Sequence, residues 1–138
     1  MIIVGIDVAK DKHDCIIINS ENVVLVAPFT IPNTLDGFNF MLASIRAVWN
    51  GVETIKVGLE ATGHYCYNLL GFLLNNGLPT YVLNPLHTNL YRKSQSLRKT
   101  KTDKVDARMI ASMIMSYEDL TPYTGALYHR KELKSMTR

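Results

Sequence analysis

Cysteine is scarce in this chain: its 138 residues include two, Cys15 and Cys66. Two thiols do not make a disulfide framework, so packing must hold the fold together. The length allows that, because a chain of this size buries roughly two-thirds of the surface its unfolded form exposes. Long apolar runs are also missing. None reaches the ~18 residues of a membrane-spanning helix. The apolar start Met1-Ile2-Ile3-Val4-Gly5-Ile6 has no basic leader and meets Asp7 too early for a signal peptide, so a cytoplasmic protein is expected. There is no internal repeat and no low-complexity segment. Charged residues are 20% and hydrophobic residues 47%, an ordinary globular balance that argues against disorder. No glycine-rich phosphate loop follows Asp7, which ranks a sugar-kinase-like domain low despite a similar opening pattern of strands.

The net charge of +3 hides an asymmetry. Arg92, Lys93, Arg98, Lys99, Lys101, Lys104 and Arg108 fall in one 17-residue stretch with only Asp103 and Asp106 against them, a local charge of +5. Such a stripe attracts polyanions at short range. The alternative is a solvated helix face.

Hydrophobic patterning predicts an α/β domain. Residues 1–8, residues 13–19 and a run from Val23 ending near Pro28 read as three strands joined by tight turns, an antiparallel meander. Asn33 or Thr34 caps a helix whose apolar face is Leu35, Phe38, Met41, Leu42, Ile45, Val48 and Trp49, all expected in the core. A strand from Thr54 to Glu60, a helix capped by Thr62 and closed by Gly77, and a strand from Pro79 to Leu83 make a parallel crossover unit. Leu86 to Thr102 reads as a basic, mobile loop, and a last helix is expected from Asp103 to about Tyr117. A mixed sheet with flanking helices follows. Residues 118–138 are too poor in apolar anchors for a core of their own.

Carboxylates recur where elements end. Asp7 ends the first strand and Glu60 the fourth, at strand tips where open sheets place ligands. Asp103 and Asp106, three apart on the expected helix, share a face with Ala107, Ile110, Ala111 and Ile114. Four carboxylates converging without counter-charge would repel and take up protons. A divalent cation relieves this, and an all-oxygen set favours Mg²⁺ or Mn²⁺. Two such ions about 3.5–4 Å apart activate an attacking oxygen and stabilise a leaving one at phosphorus. Each acid by itself also reads as a cap or a turn residue. Lys10 and Lys12, just after Asp7, read as phosphate contacts or as a solvated turn. His13 and Cys15, two apart on a strand, share a face, but structural zinc sites more often use wider pairs on loops. His64 follows Glu60 closely enough to approach a substrate phosphate. Ser94 and Ser96 have no neighbouring base and read as phosphate contacts.

Four segments carry a resemblance: Val4-Gly5-Ile6-Asp7-Val8-Ala9-Lys10, Leu59-Glu60-Ala61-Thr62-Gly63-His64-Tyr65, Val82-Leu83-Asn84-Pro85, and Lys101-Thr102-Asp103-Lys104-Val105-Asp106-Ala107. In this order they resemble the N-terminal catalytic domain of the DEDD insertion-sequence transposases, a family that includes a pilin-gene invertase and bridge-RNA-guided recombinases. The resemblance implies a RuvC-like, ribonuclease H-like fold over residues 1–117. It implies Asp7, Glu60, Asp103 and Asp106 as a catalytic tetrad binding two Mg²⁺ or Mn²⁺ ions. It also implies cleavage and exchange of donor and target DNA, guided in some members by a structured RNA. From their charge and position, Lys10, Arg92, Lys93, Arg98, Lys99, Lys101, Lys104 and Arg108 are expected on the nucleic-acid backbone. Residues 118–138 would begin a helical, coiled-coil linker to a second, serine-bearing domain that this chain does not contain. Recombination on two duplexes needs more than one active site, so a homo-oligomer is expected. Two other readings keep the same residues: a stand-alone resolvase-like nuclease for branched DNA, and a non-enzymatic nucleic-acid-binding module with structural carboxylates.

Overall fold

In the computed structural model the described residues are 1–61, 65–95, 106–116 and 122–123. Three antiparallel strands open the chain: β1 (Ile2–Val8), β2 (Lys12–Asn19) and β3 (Val24–Pro32). Helix α1 (Leu35–Val48) leads to β4 (Ile55–Glu60), and α2 (Tyr67–Asn75) to β5 (Thr80–Leu83). Helices α3 (Pro85–Gln95) and α4 (Ala107–Ser116) follow. The five strands form one mixed sheet in the order β3-β2-β1-β4-β5, with β4 and β5 parallel to β1. Among the described residues no helix is long and apolar enough to cross a membrane.

Alternation along the strands sorts the core onto two faces. Val4, Ile6, Cys15, Ile17, Val57 and Leu59 pack against α1 and α2. Ile3, Ile16, Ile18, Tyr81 and Leu83 pack against α4 and Tyr91 of α3. Burial on both faces explains why β1 reads as a continuous apolar run rather than an alternating one.

Gly5 of β1 and Gly58 of β4 are register partners on the face that meets α4. A Cβ at Gly5 would lie 2.0 Å from the Ala107 carbonyl oxygen, and one at Gly58 would lie 2.4 Å from Ile114 Cγ1. The paired glycines form a trough in which α4 rests almost on the sheet backbone.

Several boundaries differ from the sequence expectations. Strand β3 continues past Pro28 to Pro32. It is an edge strand, where a proline's missing N–H costs no ladder hydrogen bond. Leu35 and Trp49 are not core: Leu35 is 64% exposed, and Trp49 ends α1 with its indole N–H donating to the Glu53 carbonyl at 2.7 Å. Thr34 caps α1 as expected, its hydroxyl accepting from Gly37 N–H at 3.2 Å. Helix α2 begins at Tyr67, with Cys66 as its cap residue. Thr62, expected there, lies outside the described residues.

The largest correction concerns the expected basic loop, since Pro85 to Gln95 is helix α3. Asn84 accepts from Leu86 N–H at 2.8 Å, and Pro85 occupies the first helical position, which needs no N–H donor. Among the described residues of this helix only Thr88 and Tyr91 are buried, so its apolar signal is faint. The expected linker from 118 onward lies outside the described residues except for Pro122 and Tyr123, whose N–H donates to the Thr80 carbonyl at 2.7 Å.

His13 and Cys15 share the face toward α1, but as core residues rather than metal ligands. Nδ1 of His13 accepts from Ala9 N–H at 3.2 Å, so the ring proton sits on Nε2, which donates to Asn33 Oδ1 at 3.1 Å. Asn33 Nδ2 in turn donates to the Lys10 carbonyl at 3.1 Å. The ring stacks on Phe38 with centroids 6.2 Å apart. Burial pushes the Cys15 thiol up to about 12, and Asp14 nearby adds to this, so no reactive thiolate forms.

Gly5→Ala should destabilise the domain by about 1–3 kcal/mol or more, because its new methyl meets backbone that cannot yield without lifting α4. Urea denaturation measures the loss. Burial holds His13 below its usual range, outweighing the upward pull of Asn33, Asp14 and Asp7. The unfolded chain therefore binds the proton more tightly, and stability falls as pH drops below about 6.5, by at most ~1.4 kcal/mol per pH unit. Urea midpoints between pH 7.5 and 5 should show this slope in the wild type and a shallower one in His13→Gln.

Candidate active site

Asp7, Asp14 and Glu60 stand on the sheet face that α4 covers. In β1 the residues on this face are Ile3, Gly5 and Asp7; in β4 they are Lys56, Gly58 and Glu60. The β1–β4 ladder ends at the pair Ile6 and Leu59, so Asp7 and Glu60 are the next residues on each strand. Parallel neighbours about 4.8 Å apart thus point two carboxylates to the same side at the same level. Both residues are half-buried.

Asp106 does not lie within α4. It immediately precedes the helix, and its Oδ1 accepts from Met109 N–H at 2.8 Å while its carbonyl accepts from Ile110 N–H at 3.0 Å. Asp106 therefore lies ahead of the helix expected from near Asp103, and the face it was expected to share with Asp103 falls outside the described residues. Asp106 is instead the cap of a helix seated in the Gly5–Gly58 trough, which carries it to the end of β1. Asp7 and Asp106 accordingly line one cavity, of about 330 Å³. Glu60 is tied from another side, since the hydroxyl of the buried Thr88 in α3 donates to its Oε2.

Asp103 lies outside the described residues, as do His64, Ser96, Arg98, Lys99, Lys101 and Lys104. Among the described residues no group of three or more His, Cys, Asp or Glu side chains is gathered closely enough to hold a metal ion. The donor set is nonetheless all oxygen, which suits a hard divalent cation better than zinc. Of the expected nucleic-acid contacts, Lys10 is exposed in the β1–β2 turn, Lys93 is exposed on α3 and Arg92 is half-buried beside it. Arg108 is exposed, and its Nη2 donates to the carbonyl and to Oδ1 of Asn22, each at 3.3 Å. It therefore straps α4 to the β2–β3 turn, where Asn22 adopts a φ of 64°.

Three residues at the site carry no expectation from the sequence. Asp14 is the cross-strand partner of Asp7 and lines the same cavity. Thr30, across from it on β3, donates to Asp14 Oδ1 at 2.7 Å. Thr88 holds Glu60. Asp14 was legible from alternation, since it shares its strand face with Ile16 and Ile18. Thr88 was not, because only the placement of α3 against β4 brings it near Glu60.

A central strand flanked by an antiparallel hairpin on one side and two parallel strands on the other, with carboxylates at its tip, defines a ribonuclease H-like fold of the RuvC type. The chain is similar to Thermus thermophilus RuvC in complex with a Holliday junction substrate, with a TM-score of 0.56 and 13% identity over 89% of this chain and 99% of that one. The likeness to the T. thermophilus RuvC structure is equivalent, with a TM-score of 0.55 and 13% identity over 89% and 100%. The DEDD, IS110-type transposase family matches residues 4–138, and the chain belongs to it. The pilin gene-inverting proteins of Moraxella bovis and Moraxella lacunata are each 34% identical to it over 108 residues, 78% of this chain and 32% of theirs. The chain thus spans about a third of the length of these curated relatives.

Replacing Thr88 separates a hydroxyl role from a packing role. Thr88→Val keeps the shape but leaves Glu60 Oε2 without this donor, and should cost about 1–3 kcal/mol in urea denaturation. Thr88→Ser should recover most of the loss. Equal losses in the two variants would assign the effect to packing.

Proposed function

We propose that this domain performs metal-dependent cleavage and exchange of DNA strands during movement of an insertion sequence. The observation that carries the reading is the meeting of Asp7 and Asp106 in one cavity at the tip of the central strand, with Glu60 at the same level on the next strand, in a chain of the DEDD transposase family. Asp7, central among these acids, would hold both of two Mg²⁺ or Mn²⁺ ions, and Glu60, Asp106 and Asp103 would complete their coordination. Bound there, such ions supply an activated attacking oxygen and charge neutralisation at the phosphorus. The chain's own side chains set the geometry. Thr88 fixes the Glu60 carboxylate, and the α4 amide of Met109 fixes one oxygen of Asp106 and leaves the other for a ligand.

Lys10, Arg92 and Lys93, with Arg98, Lys99, Lys101 and Lys104, bind backbone phosphates. Arg108 contributes through the donors it does not give to Asn22. Donor and target DNA are the substrates, and a structured RNA pairs with both to choose the site. The protein acts in the cytoplasm as a symmetric oligomer, because exchange on two duplexes needs more than one such centre. A second domain reached through the segment after residue 117 contributes a serine nucleophile and much of the oligomer contact.

Calorimetric titration with Mn²⁺ at low salt tests the centre. The wild type should bind saturably, and Asp7→Asn should weaken binding by more than the roughly 10–100-fold typical of losing an outer-shell partner. If wild type binds only once branched DNA is added, the centre assembles on its substrate. If it binds in neither case, the catalytic reading fails and a binding module takes its place. Cleavage of a branched junction by this chain alone would move the assignment to a resolvase-like nuclease.

A further inference from the structure

The cavity that holds Asp7 and Asp106 extends well beyond them. Its far wall is the β2–β3 hairpin, where Ile16, Val24 and Pro28 face the same side as Asp14 and Thr30. Helix α4 sits over β1 and β4 and reaches β2 at Ile16 and Ile18, so its first turn closes only one side of this space, and among the described residues Val24, Pro28 and Thr30 of β3 stay exposed. Arg108 forms the boundary with a second cavity, about 500 Å³, that contains Asn22 and Tyr91. The result is a slot with carboxylates at one end, apolar side walls and a hydrogen-bonding pair, Asp14 and Thr30, along its floor.

We propose that this slot receives an unpaired nucleobase of the DNA strand whose phosphate lies at Asp7 and Asp106, a proposal that rests on the strand-cleavage reading above. Continuity carries it. A nucleotide joins an anionic group to a flat, largely apolar ring, and one cavity here joins a site for the first to walls suited to the second. The volume, about 330 Å³, is at the low end of the ~300–1,000 Å³ typical of small-molecule sites, room for a ring system but not for a duplex. The floor supplies a preference. Thr30 donates to Asp14 Oδ1, so Oδ2 of Asp14 is the acceptor available to a base, and an exocyclic amine satisfies it as the cytosine N4 amine does. Thymine has no such amine. The slot thus reads one base beside the reacting phosphate through Asp14, a carboxylate outside the metal-binding tetrad.

Methyl-labelled protein (isoleucine and valine) in Mg²⁺ provides the test. A short oligodeoxycytidylate is compared with an abasic deoxyribose-phosphate oligomer of the same length. The cytidylate should shift the Ile16 and Val24 methyl signals by ring current, whereas the abasic oligomer should bind and leave them in place. Oligothymidylate should bind about fivefold more weakly, the worth of one net hydrogen bond, and Asp14→Ala should erase that difference. Val24→Trp, filling the slot, should abolish the Ile16 shift while its thermal melt and abasic-oligomer binding stay unchanged. Equal shifts with both oligomers, or unmoved methyls at saturating cytidylate, would overturn the proposal and leave the slot to a segment of this chain. A shift with oligocytidylate RNA but not with DNA would overturn the choice of strand. If neither DNA oligomer binds at low salt, the nucleic-acid reading itself fails, an outcome distinct from all of these.

Discussion

The close seating of α4 on the Gly5–Gly58 pair is the constraint on which the rest of this domain depends. Two strands without side chains at one level let a helix carbonyl and Ile114 approach the sheet backbone to distances that any Cβ would forbid. That approach fixes the depth of the helix and the position of its N-terminus. Asp106, as cap, goes where the helix goes. The same contact buries Ala107, Ile110, Ala111 and Ile114, so the apolar energy that stabilises the sheet face also carries a carboxylate to the tip of β1.

Around that contact the acids are held by different means. Asp7 is a strand residue on the central strand, Glu60 is held by a hydroxyl from α3, and Asp106 is held by the backbone of its own helix. Three elements must therefore pack correctly before the three groups share a neighbourhood. Like charges gain nothing from being brought together, so the cost of assembling them falls on the core. The arrangement suits a centre whose charge is balanced by a bound cation and a substrate held nearby on basic side chains.

The elements were largely legible in the sequence because the strands and α1 have strong local signals. Residues Ile2–Val8 form an apolar run, Thr34 offers a cap hydroxyl, and Gly77, at a φ of 70°, closes α2. Helix α3 has a weak signal in the sequence because it buries little beyond Thr88 and Tyr91, though Asn84-Pro85 marks its start. Pro28 reads as the end of β3 in the sequence, because only the sheet order reveals that the strand lies at an edge. Leu35 and Trp49 have the right spacing for a core face but sit at the two ends of α1, where the stripe runs past the sheet it covers.

For the site, the sequence by itself determined which acids stand at element ends, that positive charge gathers between Arg92 and Arg108, and which family these segments belong to. Those properties are local in the chain, and spacing and composition record them. Only the tertiary structure decided that Asp106 is a cap rather than a helix-face residue, that Asp14 and Thr30 share the cavity of Asp7, and that Thr88 holds Glu60. The last two join residues from different elements. The physical reason is that a strand's alternation fixes the side to which a residue points, whereas what it meets there is set by how closely another element packs against it. Here that distance was set by two glycines, whose effect lies in the side chains they lack.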